Sequence, residues 1–172
     1  MTRRYHLAQV NIGRTLAPLD HPQLAGFVAR LDEINALADG SPGFVWRLQT
    51  DAGNATSVRA YEDDSILFNL SVWESAEHLK AFVYGSAHAT VMRQRRQWFE
   101  RFKGVYTALW WVGAGHIPAV HEAKERLEHL EAHGPTPRAF SFATLFPAPD
   151  STSPDPVHGF TDPCSASWRH PQ

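Results

Sequence analysis

Residues 66–74, ILFNLSVWE, constrain the fold more than any other part of the chain. Their density of β-branched, aromatic and aliphatic side chains marks a strand, and successive side chains of a strand point to opposite faces. Phe68, Leu70 and Val72 then share one face, and Leu67, Asn69, Ser71 and Trp73 share the other. Both faces carry large apolar groups, so a sheet built around this strand has to be covered on both sides.

The elements around it follow from hydrophobic period and from turn residues. Residues 5–12 (YHLAQVNI) read as a first strand. Asp20 is the expected N-cap of a helix with Pro22 in its first turn. Leu24, Phe27, Val28, Leu31, Ile34 and Leu37 recur at spacings that make one apolar stripe on that helix. Residues 44–49 form a second strand, and the polar stretch 50–64 is a loop leading into the strand at 66–74. Ser75 caps the next helix, with Leu79, Phe82 and Val83 as its buried stripe. Tyr84-Gly85-Ser86 interrupts it, and a second helical piece carries Val91, Met92, Trp98, Phe99 and Phe102. Residues 105–112 are a fourth strand. Pro118 opens a helix with Val120, Ala123, Leu127 and Leu130 inward, Gly134-Pro135 closes it, and 139–146 is a short fifth strand.

The order β-α-β-β-α-β, then α-β, is the split βαβ or ferredoxin-like pattern with an added C-terminal helix and strand, an α+β fold. Helices are expected on one face of its antiparallel sheet. A second copy of the chain is the economical cover for the other face, so a homodimer is expected. Residues 1–146 make up this domain. Residues 147–172 hold six of the twelve prolines and are expected to form a mobile tail, although Cys164 and Trp168 within it could dock.

Composition excludes several function classes. Sixteen Lys and Arg against eighteen Asp and Glu give a net charge of −2, too balanced for a non-specific nucleic-acid or membrane binder. No apolar run reaches the ~18 residues of a membrane span, and Met1-Thr-Arg-Arg-Tyr-His lacks the apolar segment of a secretory signal, so the cytoplasm is the expected compartment. A single cysteine rules out an internal disulfide and a cysteine-based zinc site. Nucleophile elbow, phosphate loop, dinucleotide fingerprint and CxxC are all absent, which leaves hydrolase, kinase and dehydrogenase readings without support.

The runs SVWESAEHLKAFVY (71–84), AHATVMRQRRQWFE (87–100), LWWVGAGH (109–116) and RLEHLEAHGP (126–135) together resemble the bacterial DUF3291 family, a domain of unknown function. The resemblance extends over residues 5–146. It implies membership of the dimeric α/β-barrel superfamily, which includes antibiotic-biosynthesis and haem-degrading monooxygenases. Haem-degrading members are similar through Trp73-Glu-Ser75, through an aromatic at Phe82, through an iron-ligating histidine for which His88 is the candidate, and through a strand asparagine at Asn11. Here the aromatic is Phe rather than Trp, and the Phe82–His88 spacing is about one helical turn shorter. Cofactor-free monooxygenases carry a Ser-x-His that Ser86-Ala-His88 matches. His88 is thus shared by both readings.

From the residues themselves, His88 follows a helix break where a pocket can open, and a neutral imidazole there serves as general base, metal ligand or donor. It could equally pack against a backbone carbonyl. Asn11 and Asn69 interrupt apolar strands, so each is paired across the sheet or faces a polar cavity where an amide can hold an oxyanion. Trp73, Phe82, Met92 and Trp111 are the expected walls of a cleft for a flat ligand; of the adjacent Trp110 and Trp111, one should enter the cleft and the other the dimer face. The basic run Arg93, Arg95, Arg96, Arg101 and Lys103 reads as cations favoured near a helix C-terminus, with carboxylate or phosphate binding as the alternative. His129 and His133 share a helix face, yet no third ligand is evident, so no metal is expected. The expected function is a monooxygenase-like or tailoring enzyme acting on a hydrophobic, aromatic or polyketide-like small molecule without a cofactor. The alternative is a haem-binding or non-catalytic small-molecule-binding protein.

Overall fold

A computed structural model describes residues 4–153 and 155–158. In chain order the elements are β1 (Tyr5–Arg14), α1 (Ala25–Asp39), β2 (Phe44–Arg47), β3 (Ile66–Trp73), α2 (Ala76–Val83), α3 (Ser86–Gln94), β4 (Thr107–Gly113), α4 (Val120–His133), β5 (Thr144–Leu145) and β6 (Val157–His158). Four strands form an antiparallel sheet in the order β2-β3-β1-β4, which is the ferredoxin-like arrangement. Among the described residues no helix is long and apolar enough to cross a membrane.

The register sorts the sheet into two faces. Ala8, Val10 and Ile12 stand opposite Val72, Leu70 and Phe68. With Ala108 and Trp110 of β4 they pack against Ala123, Leu127 and Leu130 of α4. Trp110 is 1% exposed, and its Nε1–H donates to Glu122 Oε1 at 2.9 Å. This face is therefore covered by the chain's own added helix. The homodimer was expected as the cover for an open sheet face; that ground is removed, because Phe68, Leu70 and Val72 are already at 2%, 0% and 0% exposure in one copy.

The other face carries Leu7, Gln9, Asn11 and Gly13 opposite Trp73, Ser71, Asn69 and Leu67. At one end Leu7, Trp73, Leu79 and Leu109 pack with Phe140, Phe142 and Leu145. At the other end Leu24, Val91, Trp98 and Phe99 pack with Phe27, Ile34 and Leu67. The middle is not filled. The inner stripe of α1 shows this directly, since Phe27, Leu31 and Ile34 are only half-buried and Val28 and Leu37 are exposed. A stripe expected to be core is instead the roof of a cleft.

Some local signals act where the sequence places them and others act a residue or more away. Ser75 caps α2, its Oγ accepting from the His78 N–H at 3.2 Å, and the helix breaks at Tyr84-Gly85. His21, not Asp20, caps the first helical turn, its Nδ1 accepting from the Gln23 N–H at 3.1 Å. Of the fifth strand expected over 139–146, only Thr144–Leu145 is regular, although Leu109 and Phe140 exchange backbone hydrogen bonds at 2.8 and 2.9 Å. In the segment expected as a tail, Val157–His158 pairs with β5 and Asp150 pairs with Arg4. Cys164 and Trp168 lie outside the described residues.

Leu127 is 5% exposed at the α4–sheet contact, so Leu127→Ala should lower the unfolding free energy by about 2–5 kcal/mol. Trp98→Ala, at 4% exposure on the opposite side of the sheet, should cost about 3–5 kcal/mol. Urea titrations of both variants check this. A Leu127→Ala loss no larger than a surface substitution would show that α4 does not cover the face.

Candidate functional site

The unfilled middle of the second face is a cleft of about 160 Å³ between the sheet, α1 and α3, and a smaller lobe of about 70 Å³ adjoins it, sharing Asn11, Asn69 and His88. Asn11 and Asn69, directly opposite each other in the register, lie on its floor. Asn11 is half-buried and Asn69 is exposed. Neither side chain hydrogen-bonds to another described group, so the cross-strand pairing that would make them structural is not formed. Phe27, Leu31 and Ile34 of α1 form the roof, and Val91, Met92, Arg95 and Phe99 form the flank beside His88. Asn54 and Thr56, from the loop between β2 and β3, stand at the margin, with Asn54 Oδ1 accepting from both the backbone and the hydroxyl of Thr56.

His88 sits in the first turn of α3, just past the end of α2. A helix C-terminus leaves its last carbonyls without intrahelical partners. His88 Nδ1 lies 2.9 Å from one of these, Val83 O. A carbonyl can only accept, so Nδ1 carries the proton, and in the neutral ring Nε2 is left as an acceptor. Burial pushes the imidazole below its usual pKa; the bond to Val83 opposes this, and the Arg95 charge adds to the lowering. At neutral pH His88 is an uncharged base with a fixed tautomer.

Behind it lies an aromatic series. Phe82 meets the His88 ring at 4.8 Å, stacks on Trp73 at 5.0 Å and 24°, and Phe44 sets its edge on Trp73 at 5.5 Å. Trp73 Nε1–H donates to Ser71 Oγ, which donates to Gln9 Oε1, both at 3.0 Å. Phe82 and Trp73 line the smaller lobe. Trp73, at 1% exposure, supports His88 through Phe82 and is not a wall of the main cleft. Trp111 is not a wall either, because its Nε1–H donates to Phe146 O at 2.8 Å beneath the C-terminal segment. Trp110 faces α4, not a dimer partner. The structure thus brings Asn11, Asn69, His88 and Met92 to one cleft and puts Trp73 and Phe82 beside it.

Arg95 was not singled out from the basic run. Arg93 and Arg96 are exposed, as cations near a helix end should be, but Arg95 is 6% exposed and lines the cleft. Its spacing from His88, Val91 and Met92 puts it on the same helical face, and that was the available signal. On α4, His129 and His133 meet at 4.6 Å between ring centres, and His129 Nε2 is bonded to Thr136 Oγ1.

A porphyrin on His88, as the haem-degrading resemblance implies, does not fit these residues. The lobes, at about 160 and 70 Å³, are below the ~300 Å³ at which pockets for drug-sized ligands begin.

Similar folds are found among solved structures. One is a Pseudomonas aeruginosa protein at TM-score 0.45 and 9% identity, covering 67% of this chain and 99% of that one. Another is SnoaB, a cofactor-independent oxygenase from Streptomyces nogalater, at TM-score 0.44 and 13% identity, covering 65% and 95%. A Nitrosomonas europaea protein of unknown function aligns at TM-score 0.42 and 16% identity, covering 67% and 97%. No curated protein matches the chain significantly. The profile described as "Domain of unknown function (DUF3291)" matches residues 6–155, across β1 to β5 and the whole cleft, and the chain is a member of that family.

Proposed function

We propose that the cleft binds a hydrophobic aromatic or polyketide-like small molecule and that the chain is a tailoring enzyme of the monooxygenase type, with His88 as its general base. The observation that supports this is the His88–Val83 bond, which leaves Nε2 as the acceptor nitrogen of a histidine that lines the cleft. A methylene flanked by aromatic or carbonyl groups gives its proton to Nε2. The Asn11 and Asn69 amides, free of other partners, donate to the oxygen on which the negative charge collects. The electron-rich anion then reacts with dioxygen: the methylene becomes a carbonyl and the second oxygen leaves as water. The substrate supplies every electron, so no external reductant enters the balance. The apolar roof of Phe27, Leu31 and Ile34 covers the anion on one side. The second reading is a non-catalytic binder of the same ligands, favoured by the exposure of Asn69, which leaves the oxygen-binding amide open to water.

Oxygen uptake with anthrone-type compounds bearing an activated methylene separates the two. Turnover per folded molecule should fall about 10²–10⁴-fold in His88→Ala, while loss of the Val83 bond and the Phe82 contact should cost about 1–3 kcal/mol of stability without unfolding the chain. Binding of these compounds without oxygen uptake would leave the non-catalytic reading. Equal uptake in His88→Ala would remove His88 from the mechanism.

The lowered pKa of His88 sets a pH dependence with a definite sign. The unfolded chain holds a proton on this histidine below about pH 6.5, where the folded chain does not. Its contribution to stability is therefore complete above about pH 6.5 and is lost as the pH falls through the lower, folded-state value. His88→Gln should flatten that part of the stability profile, measured by urea unfolding between pH 5 and 7 (a range of roughly two units around the reference value). An unchanged slope would show that His88 titrates normally.

A further inference from the structure

We propose that Arg95 holds the carboxylate of a hydrophobic, aromatic ligand in this cleft, so that the natural ligand is an organic acid. The inference rests on the reading of the cleft as a ligand site and adds the charge of the ligand to it.

Arg95 is 6% exposed, yet its guanidinium has no hydrogen bond or ion pair among the described residues, and its buried Nε is without a partner. A buried cation is ordinarily matched by an acid of the same chain, because a charge removed from water without a counter-charge is strongly unfavourable. Here no Asp or Glu lines the cleft, while a second guanidinium, Arg30, does. The charge balance of the pocket is therefore positive and unanswered from within.

The fold holds the guanidinium in place without neutralising it. It lies over the Phe99 ring at 4.9 Å and near the Tyr106 ring at 5.9 Å, contacts that orient a cation but leave its N–H edge free for an acceptor. Gly13 makes this placement possible: a Cβ there would stand 3.1 Å from Arg95 Nη2 and 2.9 Å from Phe99. The planar fork of an arginine matches a carboxylate with two parallel hydrogen bonds. The remaining walls are mostly aliphatic and aromatic, which suits an acid with an apolar body and disfavours a strongly hydrated anion such as phosphate.

Isothermal titration of the full chain with benzoate and 2-naphthoate, their neutral amides, and inorganic phosphate tests this. The acids should bind about 10- to 100-fold more tightly than the amides, in line with a charge-assisted pair. Arg95→Met should remove that preference while keeping or raising the melting temperature, since it deletes an unpaired buried charge. Arg95→Lys should keep part of it, and it serves should Arg95→Met fail to fold. Equal binding of acid and amide, unchanged naphthoate affinity in Arg95→Met, phosphate binding as tight as benzoate, or no binding of any probe at millimolar concentration would each overturn the assignment. Acid preference without oxygen uptake leaves the carboxylate site standing and removes the oxygenase reading. Oxygen uptake with neutral substrates as good as with acids does the reverse.

Discussion

The contact between α4 and the sheet governs the rest of the architecture. A four-stranded sheet with large apolar groups on both faces needs two covers, and ferredoxin-like helices supply one. Ala123, Leu127 and Leu130 supply the second from within the same chain, closing over Phe68, Leu70, Val72 and Trp110. With that face sealed, burial of the sheet's largest apolar cluster does not depend on α1. The helices of the opposite face can then stand off from the middle of the sheet while packing firmly at both ends, around Trp73 and Leu79 on one side and Trp98 and Phe99 on the other. The cleft is the space between these two anchored ends.

Within it, the break between α2 and α3 does chemical as well as structural work. The interruption at Tyr84-Gly85 exposes Val83 O as an acceptor and places His88 where its Nδ1–H can reach it. One hydrogen bond thus satisfies a helix terminus and chooses the tautomer of a base. Burial is the main reason this base stays unprotonated, and Arg95, almost two helical turns further on and facing the same volume, adds a smaller repulsion. A ligand carboxylate on Arg95 would relieve this repulsion, so ligand charge and the basicity of His88 are coupled through the cleft.

The order and type of the elements were legible because period and turn chemistry are local. The stripe Ala123, Leu127, Leu130 showed that α4 buries one side, but nothing in a helix's own period says which face of a sheet it will seek. Hence a second copy was invoked where the added helix already sits. The same limit misplaced Trp111, whose alternation with Trp110 was correct but whose cover, the segment ending in Phe146, comes from a part of the chain with almost no regular structure. Asn11, Asn69, His88 and Met92 were legible as cleft residues because each breaks or flanks an apolar pattern. Arg95 was legible too, at the i+7 position from His88, but its neighbours Arg93 and Arg96 made it look like part of a solvated run.

Departures from local rules are the most informative part of this chain when they coincide. Two asparagines stand in the middle of apolar strands without partners, and a helix is broken where its apolar stripe would continue. An arginine occupies the inward position of that stripe, and the roof helix leaves half of its apolar face uncovered. The buried arginine and the uncovered apolar face are unfavourable for folding taken alone, by an unmatched charge and by the loss of packing. Scattered over the surface they would be noise. The asparagines, the arginine and the roof helix border a single volume of about 160 Å³, and the helix break sets His88 against the same volume. Stability would have been better served by an apolar residue at 95, where the cation is buried and its Nε unmatched, so the convergence of these features on one cleft is the signature of a site that a ligand completes.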